Sequence, residues 1–210
     1  NENPGQYVTG TSDDNPVEAQ ISLIKEALPS AEKVGIFYTQ SEINSKIQAD
    51  KAAAKIRELG MTPVIKTCMG TTDLVANIQS LASDVDAIYI PTDNNCASNM
   101  NSIAANSNNK LLLVGEEGLL TSGGHLTLSV DYTNLGKKTA DIAVDIITKA
   151  KKPNEIAVET MSEAECVLKY SSNNCEACSI SLPQSILDRA TNIDEELYAR
   201  ICRSYFKYLN

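Results

Sequence analysis

A repeated alternation of short apolar runs with helical patterns constrains this chain more than any other feature. Apolar β-type runs at Val34–Thr39, Ala87–Ile90 and Leu111–Val114 are each followed, after a few polar residues, by a stretch with helical periodicity. Strands that alternate with helices over short connections are typical of a parallel sheet covered on both faces. The sequence therefore predicts an α/β fold with a doubly wound parallel sheet.

The expected elements cover most of the chain. Strands are expected at Lys33–Thr39, Thr62–Cys68, Ala87–Ile90, Leu111–Val114, Leu126–Val130, Ile156–Thr160 and Cys166–Tyr170. A first helix is expected to end before Pro29. Further helices are expected at Glu42–Leu59, Thr72–Ala82, Asn94–Asn106, Glu117–Ser122, Thr133–Lys151, Pro183–Ala190 and Asp194–Asn210. Ser12 or Asp13 and Thr72 are predicted as N-caps, and Gly60 as a C-cap. Thr133–Lys151 has the strongest amphipathic pattern, so it is expected to dock on an apolar surface.

The net charge disfavours nucleic acid and anionic membranes as partners, and the sequence has no apolar run long enough to span a membrane. The chain has 27 acidic and 18 basic residues and a net charge of −9, which disfavours binding to nucleic acid or to an anionic membrane. No run approaches the roughly 18 consecutive apolar residues of a membrane span. The first residues, NENPGQ, lack the pattern of a signal segment, so an export signal or lipid anchor is expected either upstream or not at all.

Three polar stretches follow the predicted strands and point to a ligand site. They are SEINSKIQ (Ser41–Gln48), PTDN (Pro91–Asn94) and EEG (Glu116–Gly118). Each one follows an apolar run and precedes or opens a helical pattern, so each is expected at the carboxyl end of a parallel strand. Open α/β sheets bind small ligands at that edge.

The residues that catalysis would need are scarce. His125 is the single histidine, so Ser–His or Cys–His catalysis would depend on it alone. Cys175 and Cys178 form a lone C-x-x-C in the loop NNCEACS, for which a loop disulfide or free thiols are expected over a metal or redox role. Cys68 and Cys96 are expected to be buried or half-buried free thiols. No glycine-rich phosphate loop is present. We therefore expect no enzyme activity, no cofactor and no metal.

Several motifs resemble one family in the order in which they occur. They are VTGTSD (Val8–Asp13), ALPSAEKVGIFY, SEINSKIQ, VDAIYIPTDN (Val85–Asn94), EEG, VDYTNLGKKTA (Val130–Ala140) and LPQSILDRA (Leu182–Ala190). Together they resemble the tryptophan- and tyrosine-type substrate-binding proteins of ABC transporters, a branch of the type I periplasmic-binding-protein fold. The resemblance covers residues 7–192.

The resemblance implies a domain organisation. Proteins of this family have two α/β lobes, and the match implies that residues 7–131 are the second, ligand-binding lobe, with a flavodoxin-like sheet. Residues 132–152 would form a helix that packs on the first lobe, which is expected to be missing here. Residues 153–192 would form return strands and a C-terminal helix, and residues 193–210 an extra helical tail without a counterpart in the family.

The implied function is transport. The chain is expected to be the solute-binding component of an ABC importer, which captures an amino acid, with an aromatic one suggested, in a cleft between lobes and delivers it to permease subunits. It would then be extracytoplasmic, either periplasmic or held at the membrane only through a lipid anchor. The alternative is a ligand-sensing effector domain of a regulator or receptor with the same fold. A third reading is that the lobe alone binds nothing, and self-association of the lobe is a further expectation.

The candidate ligand-binding residues follow from the chemistry of a zwitterion. Ser41, Asn44 and Ser45 begin a helix, where free N–H groups favour a carboxylate. The acids Asp93, Glu116, Glu117 and Asp131 are candidates to hold an ammonium, and Asn94 is expected to cap its helix and face the cleft. Helix capping alone would also explain these residue types. Tyr132 is expected to cover the hinge, and Tyr89 to lie in the core.

Overall fold

The computed structural model describes residues 7–196 and 198, which form two compact units. Unit 1 contains the described residues up to Pro16 and Ser129–Val167, and unit 2 contains Val17–Leu128 and the described residues from Leu168 onward. The chain therefore leaves unit 2 once and returns to it. The expected assignment of residues 7–131, 132–152 and 153–192 to a second lobe, a helix and return segments stays a prediction.

The strands and helices are as follows. The strands are β1 Thr11–Ser12, β2 Lys33–Thr39, β3 Thr62–Cys68, β4 Ala87–Ile90, β5 Leu111–Val114, β6 Leu126–Ser129, β7 Glu159–Thr160, β8 Val167–Tyr170 and β9 Thr191–Asn192. The helices are α1 Val17–Ala27, α2 Ile43–Glu58, α3 Thr71–Ala82, α4 Asn94–Ser98, α5 Met100–Ala105, α6 Glu117–Thr121, α7 Tyr132–Thr148, α8 Ser172–Ala177 and α9 Gln184–Leu187. Short 3-10 turns lie at Pro153–Glu155 and Glu163–Glu165.

The large sheet has the strand order β3-β2-β4-β5-β6-β8-β9. β2 pairs in parallel with β3 on one side and with β4 on the other, and β4–β5, β5–β6 and β8–β9 are also parallel. The chain winds outward from β2 to β3 and then crosses to β4 and β5 on the other side. The expected doubly wound sheet is confirmed, and its topological switch point lies between β2 and β4.

Each face of this sheet carries its own core. Side chains alternate across a strand, so Ile36 and Tyr89 pack in one cluster with α1 and α2 residues, whereas Phe37 and Ile88 pack in the other with residues of α3 to α6. Tyr89 is fully buried, as the sequence predicted. Its hydroxyl donates to Gln20 Oε1 at 2.7 Å, and Gln20 Nε2 donates to Leu128 O at 2.7 Å. The buried amide thus ties α1 to two strands.

Unit 1 is smaller and is built around α7. β1 pairs in parallel with β7, and a small apolar cluster contains Val130, Leu135 and Met161. The amphipathic pattern of α7 is present, yet Ile147 is 81% exposed. Among the described residues, no helix has both the length and the apolar character needed to cross a membrane.

Several local expectations are wrong. The N-cap of α3 is Gly70 rather than Thr72, because the Asp73 carboxylate accepts from Met69 N and Gly70 N and starts the helix earlier. α1 begins at Val17, too far from Ser12 and Asp13 for either to cap it. Gly60, by contrast, closes α2 as expected: it follows the C-cap Leu59 and has a φ of +76°, the left-handed conformation that glycine adopts at the end of a helix.

The segments between and after the core strands also differ. The stretch Asn94–Asn106 forms two helices rather than one, and NNCEACS is mostly the helix α8 rather than a loop. The strand expected at Ile156–Thr160 shortens to β7. Of the expected helix Asp194–Asn210, residues 194–196 and 198 are helical, and the remainder lies outside the described residues.

Candidate functional site

The first turn of α2 lies against the turn that follows β4. Asn44 Nδ2 donates to Thr92 O at 3.1 Å, and Ser45 Oγ donates to the same carbonyl at 2.8 Å. Thr92 N donates in turn to Gln48 Oε1 at 3.1 Å. Two of the three predicted stretches, SEINSKIQ and PTDN, are therefore in direct contact at the switch point. Ser45 is fully buried, whereas Asn44 and Ser41 are exposed.

Asp93 lies at the centre of this contact and is 1% exposed. Its carboxylate accepts from Thr39 N at 2.7 Å, from Thr39 Oγ1 at 2.9 Å and from Cys96 N at 2.8 Å. It is the N-cap of α4 and also joins the end of β2 to the end of β4. Three donors occupy most of the lone-pair positions of a carboxylate, so the observed role of Asp93 is to fix the shape of the site.

Glu42 is a site residue that sequence reasoning missed. Its carboxylate accepts from Asn94 N at 3.0 Å, from Asn95 N at 3.2 Å and from Asn94 Nδ2 at 3.3 Å. It is also the N-cap position of α2. An acid is favoured beside the unpaired N–H groups at the start of a helix, and this could have drawn attention to Glu42 within SEINSKIQ. Its partners lie 52 residues away, which no local pattern shows.

The third stretch, EEG, adjoins this contact through Gly115. Gly115 N donates to Ile90 O at 2.8 Å. A Cβ at Gly115 would lie 2.5 Å from Thr92 N, so only glycine allows the turn after β5 to approach the turn after β4 so closely. Glu116 follows as the N-cap of α6, half-buried. The three predicted stretches therefore form one continuous edge of unit 2.

Glu117 is committed to an ion pair. Its Oε2 accepts from Lys169 Nζ at 3.0 Å, and the same ammonium donates to Glu196 at 2.9 Å. Burial lowers the pKa of Lys169, but the hydrogen bonds that its ammonium donates to Glu196 and Glu117 outweigh this effect, so the net shift of the pKa is upward. Lys169 therefore remains charged and fixes the Glu117 carboxylate.

Asp131 belongs to unit 1, where it is the N-cap of α7. Its carboxylate accepts from Thr133 N at 2.8 Å, from Asn134 N at 3.2 Å and from Asn134 Nδ2 at 3.0 Å.

Asn94 is the first residue of α4 rather than its cap. Ser41 likewise precedes the N-cap of α2 and lies in the exposed turn after β2.

His125 lies immediately before β6, at the amino end of that strand and away from the three polar stretches. It is fully buried. Leu112 N donates to its Nδ1 at 2.8 Å, while His125 N donates to Leu112 O at 3.0 Å. Burial lowers the pKa of this imidazole to about 4. It is therefore neutral near neutral pH and acts as a backbone partner within the sheet. Within the described ranges no group of three or more His, Cys, Asp or Glu residues is arranged to hold a metal.

The fold and the edge formed by these stretches define a class: α/β proteins that bind a small molecule where a doubly wound sheet changes direction. The family model for "ABC transporter substrate binding protein" matches residues 1–194, and the chain belongs to that family. The family resemblance that the motifs indicated is thereby confirmed.

Relatives and solved structures agree with this assignment. The chain is 33% identical over 169 residues to a tyrosine-binding protein of Clostridioides difficile (strain R20291), covering 80% of this chain and 49% of the relative. A conserved domain protein from Vibrio cholerae superposes with a TM-score of 0.81 at 28% identity, over 91% of this chain and 64% of that one. An ABC domain in complex with L-Trp from Streptococcus pneumoniae gives 0.78 at 29% identity, over 90% and 65%. The chain thus spans about half the length of the curated relative it matches.

Proposed function

We propose that this chain is the solute-binding component of an ABC importer and captures an aromatic amino acid. The observation that carries the proposal is the meeting of SEINSKIQ, PTDN and EEG along one edge of unit 2, at the switch point between β2 and β4. Ligands of open α/β sheets bind at such a point. The tyrosine-binding relative and the structure with L-Trp support an aromatic amino acid as the ligand.

The exposed and half-buried side chains of this edge are proposed as direct ligand contacts. Ser41, Asn44 and Asn94 offer hydroxyl and amide groups to the ligand carboxylate, beside the first turn of α2. Glu116 and Glu42 offer carboxylate oxygens to its ammonium. Hydrogen bonds to charged groups of this kind are each worth about 1.5–3 kcal/mol.

The remaining candidates are proposed to act through these contacts. Asp93 and Ser45 are buried and hold the turns in place, and the ion pair with Lys169 fixes Glu117 beside Glu116. Asp131, at the start of α7 in unit 1, is proposed as a further candidate ligand-binding residue. The captured solute would be delivered to a membrane permease from an extracytoplasmic location, in keeping with the family.

Thermal unfolding of the 210-residue chain with a panel of solutes tests the ligand class. L-tyrosine and L-tryptophan should each raise the Tm, and a ligand at 100 times its Kd should stabilise the chain by about 2.7 kcal/mol. Tyramine, which lacks the carboxylate, and 3-(4-hydroxyphenyl)propionate, which lacks the ammonium, should bind at least tenfold more weakly. Stabilisation by sugars with no response to any amino acid would overturn the proposal.

A matched pair of variants tests the place of binding. Asn44→Ala should weaken tyrosine binding measured by titration calorimetry by about 1.5–3 kcal/mol. Asn101→Ala, at an exposed position of α5, should leave the Kd unchanged. Equal affinities for the two variants would place the ligand elsewhere.

A further inference from the structure

Two thiols lie together beneath the switch point. Cys68 is the last residue of β3, and Cys96 is the third residue of α4. Both are fully buried, and both pack in the same apolar cluster, on one face of the sheet. The side chain of Asn95, the residue before Cys96, donates to Cys68 Sγ, so the first turn of α4 contacts the end of β3. Neither takes part in the proposed capture of a solute.

Polar neighbours surround this pair of thiols. Thr39 Oγ1 lies 3.6 Å from Cys68 Sγ, and Asn95 Nδ2 donates to the same sulfur at 3.7 Å. The contact with Cys96 and the bond with Thr39 hold the pKa of Cys68 at about 7, despite its burial. The same contact and burial raise the pKa of Cys96. Cys68 is therefore the thiol of the pair that ionises more readily.

We propose that Cys68 and Cys96 are the site of a disulfide bond, which joins the end of β3 to the first turn of α4 when the protein meets a disulfide oxidant. The residues that carry this inference come from two elements that the fold has already brought into contact. Cys175 lies in α8 and Cys178 is the C-cap of that helix, so a bond between these two cysteines would cross-link only neighbouring residues.

The reaction balances with oxidised glutathione as the oxidant. The Cys68 thiolate attacks one sulfur of the small disulfide, which forms a mixed disulfide and releases one glutathione thiolate. Cys96 then loses its proton to that thiolate, and its sulfur attacks the Cys68 sulfur of the mixed disulfide. A second glutathione thiolate leaves and takes up a proton from solvent. Two protein thiols are oxidised, and one glutathione disulfide is reduced to two glutathione thiols.

Burial determines when the bond forms. Because neither sulfur is exposed, the oxidant reaches Cys68 while the chain folds or when this region opens locally. The bond closes a loop of 28 residues, the difference between positions 68 and 96. It should raise the Tm by an amount on the order of 10 °C, because it restricts the unfolded chain.

Refolding in a glutathione redox buffer tests the proposal. The full chain is refolded in oxidised and in reduced glutathione, alkylated in denaturant without reduction, and mapped by peptide mass spectrometry. In the oxidised sample, the peptide containing Cys68 should be linked to the peptide containing Cys96, and the product should have lost the mass of two hydrogen atoms. The Tm should be higher in the oxidised sample than in the reduced one.

Two variants separate this bond from the others. Cys96→Ala should abolish both the cross-link and the difference in Tm between oxidised and reduced protein. Cys178→Ala should leave both unchanged. If Cys68 and Cys96 are both recovered alkylated from the oxidised wild-type chain, or if Cys68 is linked to any other cysteine, the proposal is wrong. A comparison of wild-type samples alone decides this even if a variant fails to fold.

Discussion

The Asp93 carboxylate receives both the backbone N–H and the hydroxyl of Thr39, at 2.7 and 2.9 Å. Thr39 ends β2, and Asp93 follows β4, so this one pair of residues spans the position where the winding of the sheet reverses. The neighbouring side chains of the proposed site are positioned by turns that this pair holds together.

Removal of this carboxylate should be costly. Asp93→Ala would leave Thr39 N, Thr39 Oγ1 and Cys96 N without their acceptor in a buried environment, and it should lower the free energy of unfolding by about 3 kcal/mol. Urea unfolding monitored by circular dichroism measures the loss. Asp50→Ala, on the exposed surface of α2, is the control and should cost less than about 0.5 kcal/mol. Equal costs at the two positions would contradict the role given to Asp93.

A second prediction concerns the close approach at Gly115. Gly115→Ala would force a Cβ to 2.5 Å from Thr92 N and 2.8 Å from Pro91 C, both backbone atoms with little freedom to move. The variant should lose about 1–3 kcal/mol of stability. Gly136→Ala is the matched control, since a Cβ there meets nothing within 4 Å and the residue lies in α7. It should gain about 0.5–1 kcal/mol, and a loss of the same size for both variants would refute the explanation.

The free energy of unfolding should decrease as the pH falls, because His125 is neutral in the folded chain and takes up a proton on unfolding. The pKa of this buried imidazole drops from 6.5 to about 4 on folding, so the unfolded chain binds the proton more strongly. Its contribution is fully present above about pH 6.5 and is lost as the pH falls toward 4, by about 3 kcal/mol in total.

A variant that cannot titrate isolates this contribution. In His125→Asn, the amide oxygen can still accept from Leu112 N, but the amide neither gains nor loses a proton between pH 7 and 4. Denaturant unfolding of both proteins between pH 7 and 4 should show a steeper fall for the wild type. Parallel curves would mean that His125 does not become charged on unfolding.

Glu42 provides a further test of the contact between α2 and α4. Glu42→Ala would remove the acceptor from the N–H groups of Asn94 and Asn95, and it should cost about 0.5–2 kcal/mol, as for the loss of a helix cap. Glu58→Ala, at the exposed end of the same helix, should cost less. Thermal unfolding of the two variants measures the difference. If the Glu58 variant is the less stable, the contact contributes little.

The central strands of the sheet could be predicted because strands buried on both faces have continuous apolar sequences. β2 and β3 have the predicted bounds, as do β4 and β5. The break at Asn99 was missed, since it depends on side chains that compete for helical carbonyls. Asn99 Nδ2 donates to Asn95 O at 2.8 Å, and Ser98 Oγ to Asn94 O at 2.9 Å. Such local bonds disfavour a long uninterrupted helix.

The site was predictable only in part. The parallel-sheet pattern placed three polar stretches at one edge, and the structure brings them into contact. Which oxygen accepts from which donor depends on pairs separated by about 50 residues, such as Glu42 with Asn94 and Asp93 with Thr39. Spacing along the chain carries no information on those pairs. The capping tendency of Asp93 was readable from its residue type, whereas its bond to Thr39 was not.

Two strands that are neighbours in the sheet, β6 and β8, are synthesised several seconds apart. β8 lies beside β6 in the sheet, but 37 residues lie between Ser129 and Val167 in the chain. At a translation rate of about 5–20 residues per second, roughly 2–8 seconds pass between the completion of β6 and the start of its neighbour. During that interval the edge of β6 is an open template for another strand. The nascent chain is therefore most vulnerable to aggregation before the last strands are made.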